Sequence, residues 1–452
     1  MTSTSTSSVA AATPDPDLAR RRARLASFVG TTIEWYDFYL YGTAAALVFP
    51  ILFFPSYSPI TGTLLALLTY SVGFVARPLG GIIMGHYGDR VGRKAMLVLS
   101  LLVMGVATTL IGVLPTYVEI GAWAPVLLLV LRLAQGFGVG GEWGGAVLVA
   151  VENAPPTSRG LWGAWPQAGV PAGLLLANGV FLTMTLVTSP EAFLAWGWRV
   201  GFLLSAVLVI VGLIVRLKLE ETPDFKAVQA ADKVERHPVR TVLRTQWRTV
   251  LLVIGMKLSQ NAFFYIVIVF SLVYVTQVLG LSRSMALGGV LFASGISLMT
   301  LLLAGWLSDQ YGRRRVYLIG AVAVAVFAFP FFWLLDTRST ILIWAAIAIG
   351  LVLHDLMYGP QAAYFSELFP AEVRYTGVSL GYQIAAMVAG GVAPVLAVFL
   401  LSVADDKPWP VAVFILALSA ITVYATWRGP ETHRGNRLAT DPAHESGVGA
   451  NA

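Results

Sequence analysis

Helix-length segments built almost wholly from apolar residues recur throughout this 452-residue chain. They lie near 27–54, 62–86, 95–116, 122–150, 161–187 and 198–219. After a polar stretch at 220–248, six more follow near 249–278, 285–307, 316–335, 340–365, 377–403 and 409–427. Such runs exceed the roughly 18 residues that span a bilayer as a helix, and they do not alternate as barrel strands would. Only 12% of residues are charged against 57% hydrophobic, too little charge to cover a soluble protein of this size. The expected fold is therefore all-α and integral to the membrane, with twelve transmembrane helices that satisfy their own backbone groups.

The cations set the orientation. With the N-terminus inside, 23 of the 30 Lys and Arg residues fall on the cytoplasmic side, four fall outside and three lie within spans. That bias fits the positive-inside rule and puts both termini in the cytoplasm. The net charge of +6 is then a matter of topology, and no nucleic-acid partner is expected. Residues 1–26 read as a disordered cytoplasmic tail; Asp15 and Asp17 and the missing cleavage site argue against a targeting peptide. The chain has no cysteine, which excludes disulfides and thiolate metal sites. It carries no Walker loop, HExxH or GxSxG motif. An enzyme is not expected, and neither is a metal or other cofactor.

One polar loop occurs twice. Gly85-His86-Tyr87-Gly88-Asp89-Arg90-Val91-Gly92-Arg93-Lys94 is echoed by Gly305-Trp306-Leu307-Ser308-Asp309-Gln310-Tyr311-Gly312-Arg313-Arg314-Arg315. A second echo joins Glu152, Pro155 and Arg159 to Glu367, Pro370 and Arg374. The chain thus divides into two pseudo-symmetric six-helix bundles, 27–219 and 249–427, joined by a cytoplasmic loop at 220–248 and followed by a short tail at 428–452. Repeated halves of this kind move against each other around a shared site.

Charges inside the spans need partners or water. Glu34 and Asp37 are neighbours on one face of the first span. Arg132 on the fourth span lies at a similar depth, so Asp37 and Arg132 are expected to meet. Glu34 is expected to pair with Arg77, structurally or in coupling. Glu142 lies about 80° around the helix from Arg132, either bordering the same space or bonded to a neighbouring helix. On the seventh span, Lys257, Asn261 and Tyr265 share a face at intervals of four. His354-Asp355 on the tenth span reads as a proton relay or as a neutral, hydrogen-bonded core pair. Gly359-Pro360 is expected to break that helix.

The two loops, together with Leu131-Arg132-Leu133-Ala134-Gln135-Gly136, resemble signatures of the major facilitator superfamily. Glu34-Trp35-Tyr36-Asp37-Phe38-Tyr39, Gly140-Gly141-Glu142-Trp143-Gly144-Gly145, Trp196-Gly197-Trp198-Arg199, Glu221-Thr222-Pro223 and Arg374-Tyr375-Thr376-Gly377 are similar to its metabolite:proton symporters, nearest the shikimate-type branch. The resemblance implies proton coupling through Asp37 and Arg132, with Glu34 in a supporting role. It implies a substrate contact from Gln167; Arg132, Glu142, Lys257, Asn261, Tyr265, His354 and Asp355 are the further expected substrate contacts, read from their polar character inside the spans. It also implies a cytoplasmic latch formed by Asp89, Arg93, Glu152, Arg159, Asp309, Arg313, Glu367 and Arg374.

The expected function is import of a small organic acid, such as shikimate, with protons. The expected setting is the bacterial inner membrane, as a monomer surrounded by lipid. Alternatives are a symporter for a zwitterion such as proline or glycine betaine, with Glu142, Trp143 and Trp165 as its partners, or a non-transporting nutrient sensor.

Overall fold

The computed structural model describes residues 16–91, 93–140, 143–152, 154–217, 238–370 and 373–433. All regular structure among them is helical. Six rods form the first half: α1 (Pro16–Leu47), α2 (Pro59–Val91), α3 (Arg93–Val113), α4 (Trp123–Val139), α5 (Arg159–Val187) and α6 (Pro190–Ile214). The fourth continues beyond α4 as Trp143–Glu152. The second half holds α7 (Trp247–Val278), α8 (Arg283–Tyr311), α9 (Arg313–Asp336), α10 (Thr340–Glu367), α11 (Arg374–Ser402) and α12 (Trp409–Arg428). Nine of the described helices are long and apolar enough to cross a membrane. The remaining three are α3 and α4, which are apolar but shorter, and α1, which carries four arginines, Glu34 and Asp37. The order and number match the twelve expected segments.

Two boundaries differ from expectation. α1 reaches back to Pro16, so the arginine-rich end of the expected disordered tail is helical. Leu, Ala and Arg are strong helix formers there, and proline suits a first helical turn. The expected loop at 220–248 contains a short helix, Pro238–Thr245, that buries Val242.

The duplication is visible in the packing. Within the first half α1 packs on α5 and α6, α2 on α4, and α3 on α4 and α6. Adding six to each number gives the packing of the second half: α7 on α11 and α12, α8 on α10, and α9 on α10 and α12. The halves meet through α5 against α8 and α10, and through α11 against α2 and the Trp143–Glu152 helix. At the α2–α4 crossing the backbones touch. A Cβ at Gly80 would overlap the Phe137 carbonyl, one at Gly136 the Gly73 carbonyl, and one at Gly140 the Arg77 carbonyl. Small residues allow this approach where lipid supplies no hydrophobic drive for association. The crossing sets Arg77 beside Gly140 and Arg132 beside Tyr70, and both guanidiniums reach the Phe38 ring.

α10 is unbroken. It runs helically from Thr340 to Glu367 through Pro360, contrary to the expected break at Gly359-Pro360. Pro360 removes only the N–H that would bond the Leu356 carbonyl, and α10 continues past that one missing bond. Separately, α10 is tied to the first half. Gln167 of α5 donates its Nε2 to the Tyr358 carbonyl at 2.7 Å and to the Gly359 carbonyl at 3.4 Å. Elsewhere the helices do carry irregular turns. π-helical segments occupy Ile266–Phe270 and Tyr274–Val278 of α7 and Ala386–Gly391 of α11, a form that often marks functional sites.

Candidate functional site

The centre of the bundle holds buried cations set among aromatic rings. Arg132 of α4 has its guanidinium 4.3 Å from the Tyr41 ring, 4.4 Å from Phe38 and 4.7 Å from Tyr70. Arg77 of α2 lies 4.3 Å from Phe38 and 4.6 Å from Phe74. Lys257 of α7 sits 3.7 Å from the centre of the Tyr382 ring. Tyr265 packs edge-on against Phe74, Tyr70 and Phe38. The three cations are almost wholly buried. Rings favour cations through their quadrupoles, by about 2 kcal/mol or more when desolvated, which falls short of a counter-charge.

The expected Asp37–Arg132 contact is not made. Arg132 Nη1 donates to Gln135 Oε1 at 3.0 Å, and its Nε donates to the Tyr70 carbonyl at 3.3 Å. Gln135 Nε2 donates to Thr108 Oγ1 at 2.7 Å. Ser205 donates to Asp37 Oδ1, and Thr108, whose hydroxyl donates to the Met104 carbonyl at 2.9 Å, lies near that carboxylate; Asp37 Oδ2 has no hydrogen-bond partner among the described residues. Gln135 and Thr108 therefore stand between the two charges. The rings of Phe38 and Tyr41 occupy the guanidinium faces, and the Ser205 hydroxyl of α6 bonds Asp37 in place of a cation.

Glu34 is buried and coupled electrostatically to Asp37 and to Tyr382. Arg77 packs on Trp35 and Phe38 of the same helix turn. Arg77 thus packs on the helix turn that carries Glu34. Glu142 lies outside the described residues.

The second half contributes Lys257, whose Nζ donates to Gln260 Oε1 at 3.0 Å and to Gln361 Oε1 at 3.3 Å. Gln260 Nε2 meets His354 Nε2 at 2.5 Å, and His354 Nδ1 meets Asp355 Oδ1 at 3.1 Å. Asp355 also accepts from Ser297 at 3.0 Å and from Thr300 at 2.5 Å. Neither Arg132 nor Lys257 pairs with a carboxylate among the described residues. Several buried donors there have no hydrogen-bond partner among the described residues: Arg132 Nη2, Arg77 Nε and Nη2, and Asn261 Nδ2. Unpaired buried donors are costly unless something accepts from them. Of the expected substrate contacts, Asn261, Tyr265, Lys257 and His354 join this centre with Arg132. Asp355 stands behind His354. Gln167 spends its amide N–H groups on α10.

Gln361, Thr108 and Ser205 were not singled out by sequence reasoning, and Gln135 and Gln260 were noted only as neighbours of Arg132 and Lys257. The pair Arg132/Gln135 and the pair Lys257/Gln260 carry a usable signal: a glutamine three residues after an intramembrane cation shares its helix face.

At the end bearing the second polar loop, Asp309 accepts the backbone N–H groups of Gly160 and Leu161, each at 2.8 Å. It also pairs with Arg313 at 2.7 Å, and Arg313 lies 3.6 Å from Glu367. Arg374 reaches Glu152 of the other half at 3.3 Å. Arg159 starts α5 beside this cluster, but its Nε has no hydrogen-bond partner among the described residues. The side chains of Asp89 and Arg93 lie outside the described residues. Glu431 Oε1 accepts from the Arg313 N–H at 2.9 Å, and His433 Nε2 approaches the Asp309 carbonyl at 2.8 Å. The segment after α12 therefore packs onto the loop, a contact the sequence did not signal. The halves also meet at the opposite end, where Gln277 donates to Thr63 at 2.9 Å.

Known proteins share this arrangement. A model of the Major Facilitator Superfamily matches residues 27–394 and 297–446. The shikimate transporter of Escherichia coli (strain K12) is 44% identical over 409 residues, covering 89% of this chain and 93% of the transporter. The E. coli inner membrane metabolite transport protein YhjE is 44% identical over 423 residues, covering 92% and 96%. A proline/betaine transporter of Salmonella typhimurium is 34% identical over 415 residues, covering 89% and 81%. The crystal structure of a D-xylose-proton symporter superposes with a TM-score of 0.71 at 19% identity, covering 91% and 98%, a likeness of fold. With its six-plus-six packing, its doubled loop and these relatives, the chain is a multi-pass membrane transporter and not an enzyme, and it belongs to the major facilitator superfamily.

Proposed function

We propose that this protein imports a small organic acid, shikimate or a related carboxylate, together with protons by alternating access across the bacterial inner membrane. The observation that carries the reading is the pairing of Arg132 and Lys257 with glutamines and rings instead of carboxylates. Two buried cations at one centre, with unpaired donors around them, suit a ligand that brings its own negative charge. The 44% identity to a shikimate transporter supports that cargo class over the zwitterions carried by the 34% relative.

Asp37 is the proton carrier in this reading. Its carboxylate is buried and bonded by the Ser205 hydroxyl, and Gln135 and Thr108 stand between it and Arg132. When the cargo engages Arg132, Gln135 and Thr108 rearrange and Asp37 takes a proton. Neutralisation then lowers the cost of moving the loaded site through the low-dielectric interior. Both termini face the cytoplasm, the Asp309 cluster is the cytoplasmic latch, and the protein works as a monomer in the lipid bilayer. No cofactor takes part.

The test is uptake into proteoliposomes of shikimate, protocatechuate, citrate, 2-oxoglutarate, proline and glycine betaine, with and without an imposed pH gradient. Uptake of one of the acids that rises with an inward proton gradient is expected. Uptake of proline or betaine alone, or acid uptake indifferent to the gradient, would sink the reading.

A further inference from the structure

The two halves carry matching side-chain chains. In each, a buried cation donates to a glutamine three residues further along its helix: Arg132 to Gln135 and Lys257 to Gln260, both at 3.0 Å. In each, that glutamine turns its amide nitrogen to the next group, Thr108 or His354. In each, the chain leads to an almost wholly buried aspartate beside two hydroxyl side chains: at Asp37, Ser205 donates and Thr108 lies close, and at Asp355 both Ser297 and Thr300 donate. The second chain differs in one respect, because a titratable imidazole is inserted between the glutamine and the aspartate.

We propose that His354 and Asp355 form a second proton-binding site, linked to the cargo through Lys257 and Gln260, so that transport carries two protons. The proposal rests on the reading of the protein as a proton-coupled importer of acids.

Hydrogen-bond directions make the link. Gln260 Oε1 accepts from Lys257, so Gln260 Nε2 donates and His354 Nε2 accepts. The imidazole is then neutral, with its proton on Nδ1, and donates to Asp355. A proton arriving at Nε2 turns that nitrogen into a donor. Gln260 must then rotate its amide and present Oε1 to His354, which takes Oε1 away from Lys257. A cargo carboxylate that engages Lys257 releases Gln260 for this rotation and offsets the repulsion between two cations. Cargo and proton therefore favour each other, and the coupling is reciprocal.

The groups facing His354 are few. Its own helix supplies Asp355 and Tyr358, and α7 supplies Lys257 and the Phe264 ring at 4.6 Å. α9 supplies Tyr317, joined through Gln361, and α11 supplies Tyr382 beside Lys257. α1 supplies Tyr39, its ring tilted against Phe264 at 5.8 Å. α8 contributes the hydroxyls at Asp355, and α5 contributes Gln167 at the Tyr358 carbonyl.

Two measurements decide the matter. The first needs no cargo. Of the five histidines, the four other than His354 are replaced, and the remaining imidazole is followed by 15N NMR in nanodiscs. It should sit as the Nδ1–H tautomer at high pH and gain a proton at Nε2 within the range pH 5 to 9. Lys257→Gln should move that titration upward by about one pH unit or more. A signal that holds one state throughout in both proteins overturns the proposal.

The second measurement uses shikimate in proteoliposomes at zero membrane potential. Normalised to the variant's own shikimate counterflow, accumulation by His354→Gln should fall about tenfold per pH unit of gradient, because one of two protons is lost. Retained counterflow with unchanged accumulation overturns the proposal. If the unsubstituted protein exchanges no shikimate, the cargo reading fails, while the NMR titration still decides whether this site binds a proton.

Discussion

Asp309 of the second half holds the start of α5 in the first half, accepting the Gly160 N–H at 2.8 Å while keeping Arg313 at 2.7 Å. One carboxylate thereby satisfies two orphan donors of a helix N-terminus and a buried arginine. Asp309→Asn keeps the shape but loses the charge. Charge-assisted bonds of this kind contribute about 1.5–3 kcal/mol, so the closed population at this end should fall about 10- to 100-fold. The chain has no native cysteine, which leaves an introduced Ala362→Cys as the single thiol. Ala362 is fully buried beside Gly163. Its maleimide labelling should rise in the Asp309→Asn background; unchanged labelling would remove Asp309 from the latch.

The second bridge between the halves should behave differently. Arg374 and Glu152 are 3.3 Å apart, but their side chains are 26% and 43% exposed. Exposed pairs contribute less than about 1 kcal/mol. Glu152→Gln should therefore leave labelling at Ala362→Cys within a few-fold of the parent, and higher salt should have little further effect. A response as large as that of Asp309→Asn would contradict this ranking.

The α2–α4 crossing leaves no room for a side chain. Gly136→Val should lower the thermal stability of the detergent-solubilised protein by about 1–3 kcal/mol, because backbone atoms of Gly73 would have to move. Gly295→Ala on α8 is the matched control, since nothing lies within 4 Å of its Cβ position. Melting curves of the two variants should separate clearly.

Asp37→Asn mimics the protonated carrier. Shikimate counterflow, which needs no net proton movement, should persist, while accumulation against a gradient should drop. Loss of both together would point to a structural role for Asp37 beside Ser205 and Thr108.

Lys257→Gln removes a buried charge but keeps an amide that can bond to Gln260 and Gln361. The KM for shikimate should rise about 10- to 100-fold, in line with loss of a charge-assisted bond to the cargo. Uptake of a neutral analogue that lacks the carboxylate should be affected much less. Equal effects on both would argue that Lys257 acts through packing on Tyr382 and not through charge.

Much of the fold was legible because its cause is local. Each span declares itself by an apolar run of bilayer length, and the doubled Gly-Asp-Gly-Arg loop and Glu-Pro-Arg echo exposed the six-plus-six plan. Intramembrane charges such as Asp37, Arg132, Lys257 and His354 stood out because lipid makes them expensive. What those charges touch was not legible. Asp37 and Arg132 share a depth, yet each took other partners, since the rotation of α1 against α3, α4 and α6 decides which side chains meet. Pro360 read as a break, yet α10 runs through it from Thr340 to Glu367, held by the helices packed around it. The packing of Glu431 and His433 onto the Asp309 loop had no signal at all, because a contact between residues 309 and 433 leaves no local pattern.

By itself the sequence determined that this chain lives in lipid, that it crosses repeatedly, that it is a doubled unit, and which polar residues must be accounted for inside it. Those properties follow from solvation, which acts on each residue and sums along the chain. Only the tertiary structure decided that Arg132 and Lys257 each lean on a glutamine, that two parallel chains lead to Asp37 and Asp355, and that Asp309 ties one half to the other. Those properties depend on helix rotation and crossing distance, which are set by glycines and side chains far apart in the sequence packing against one another.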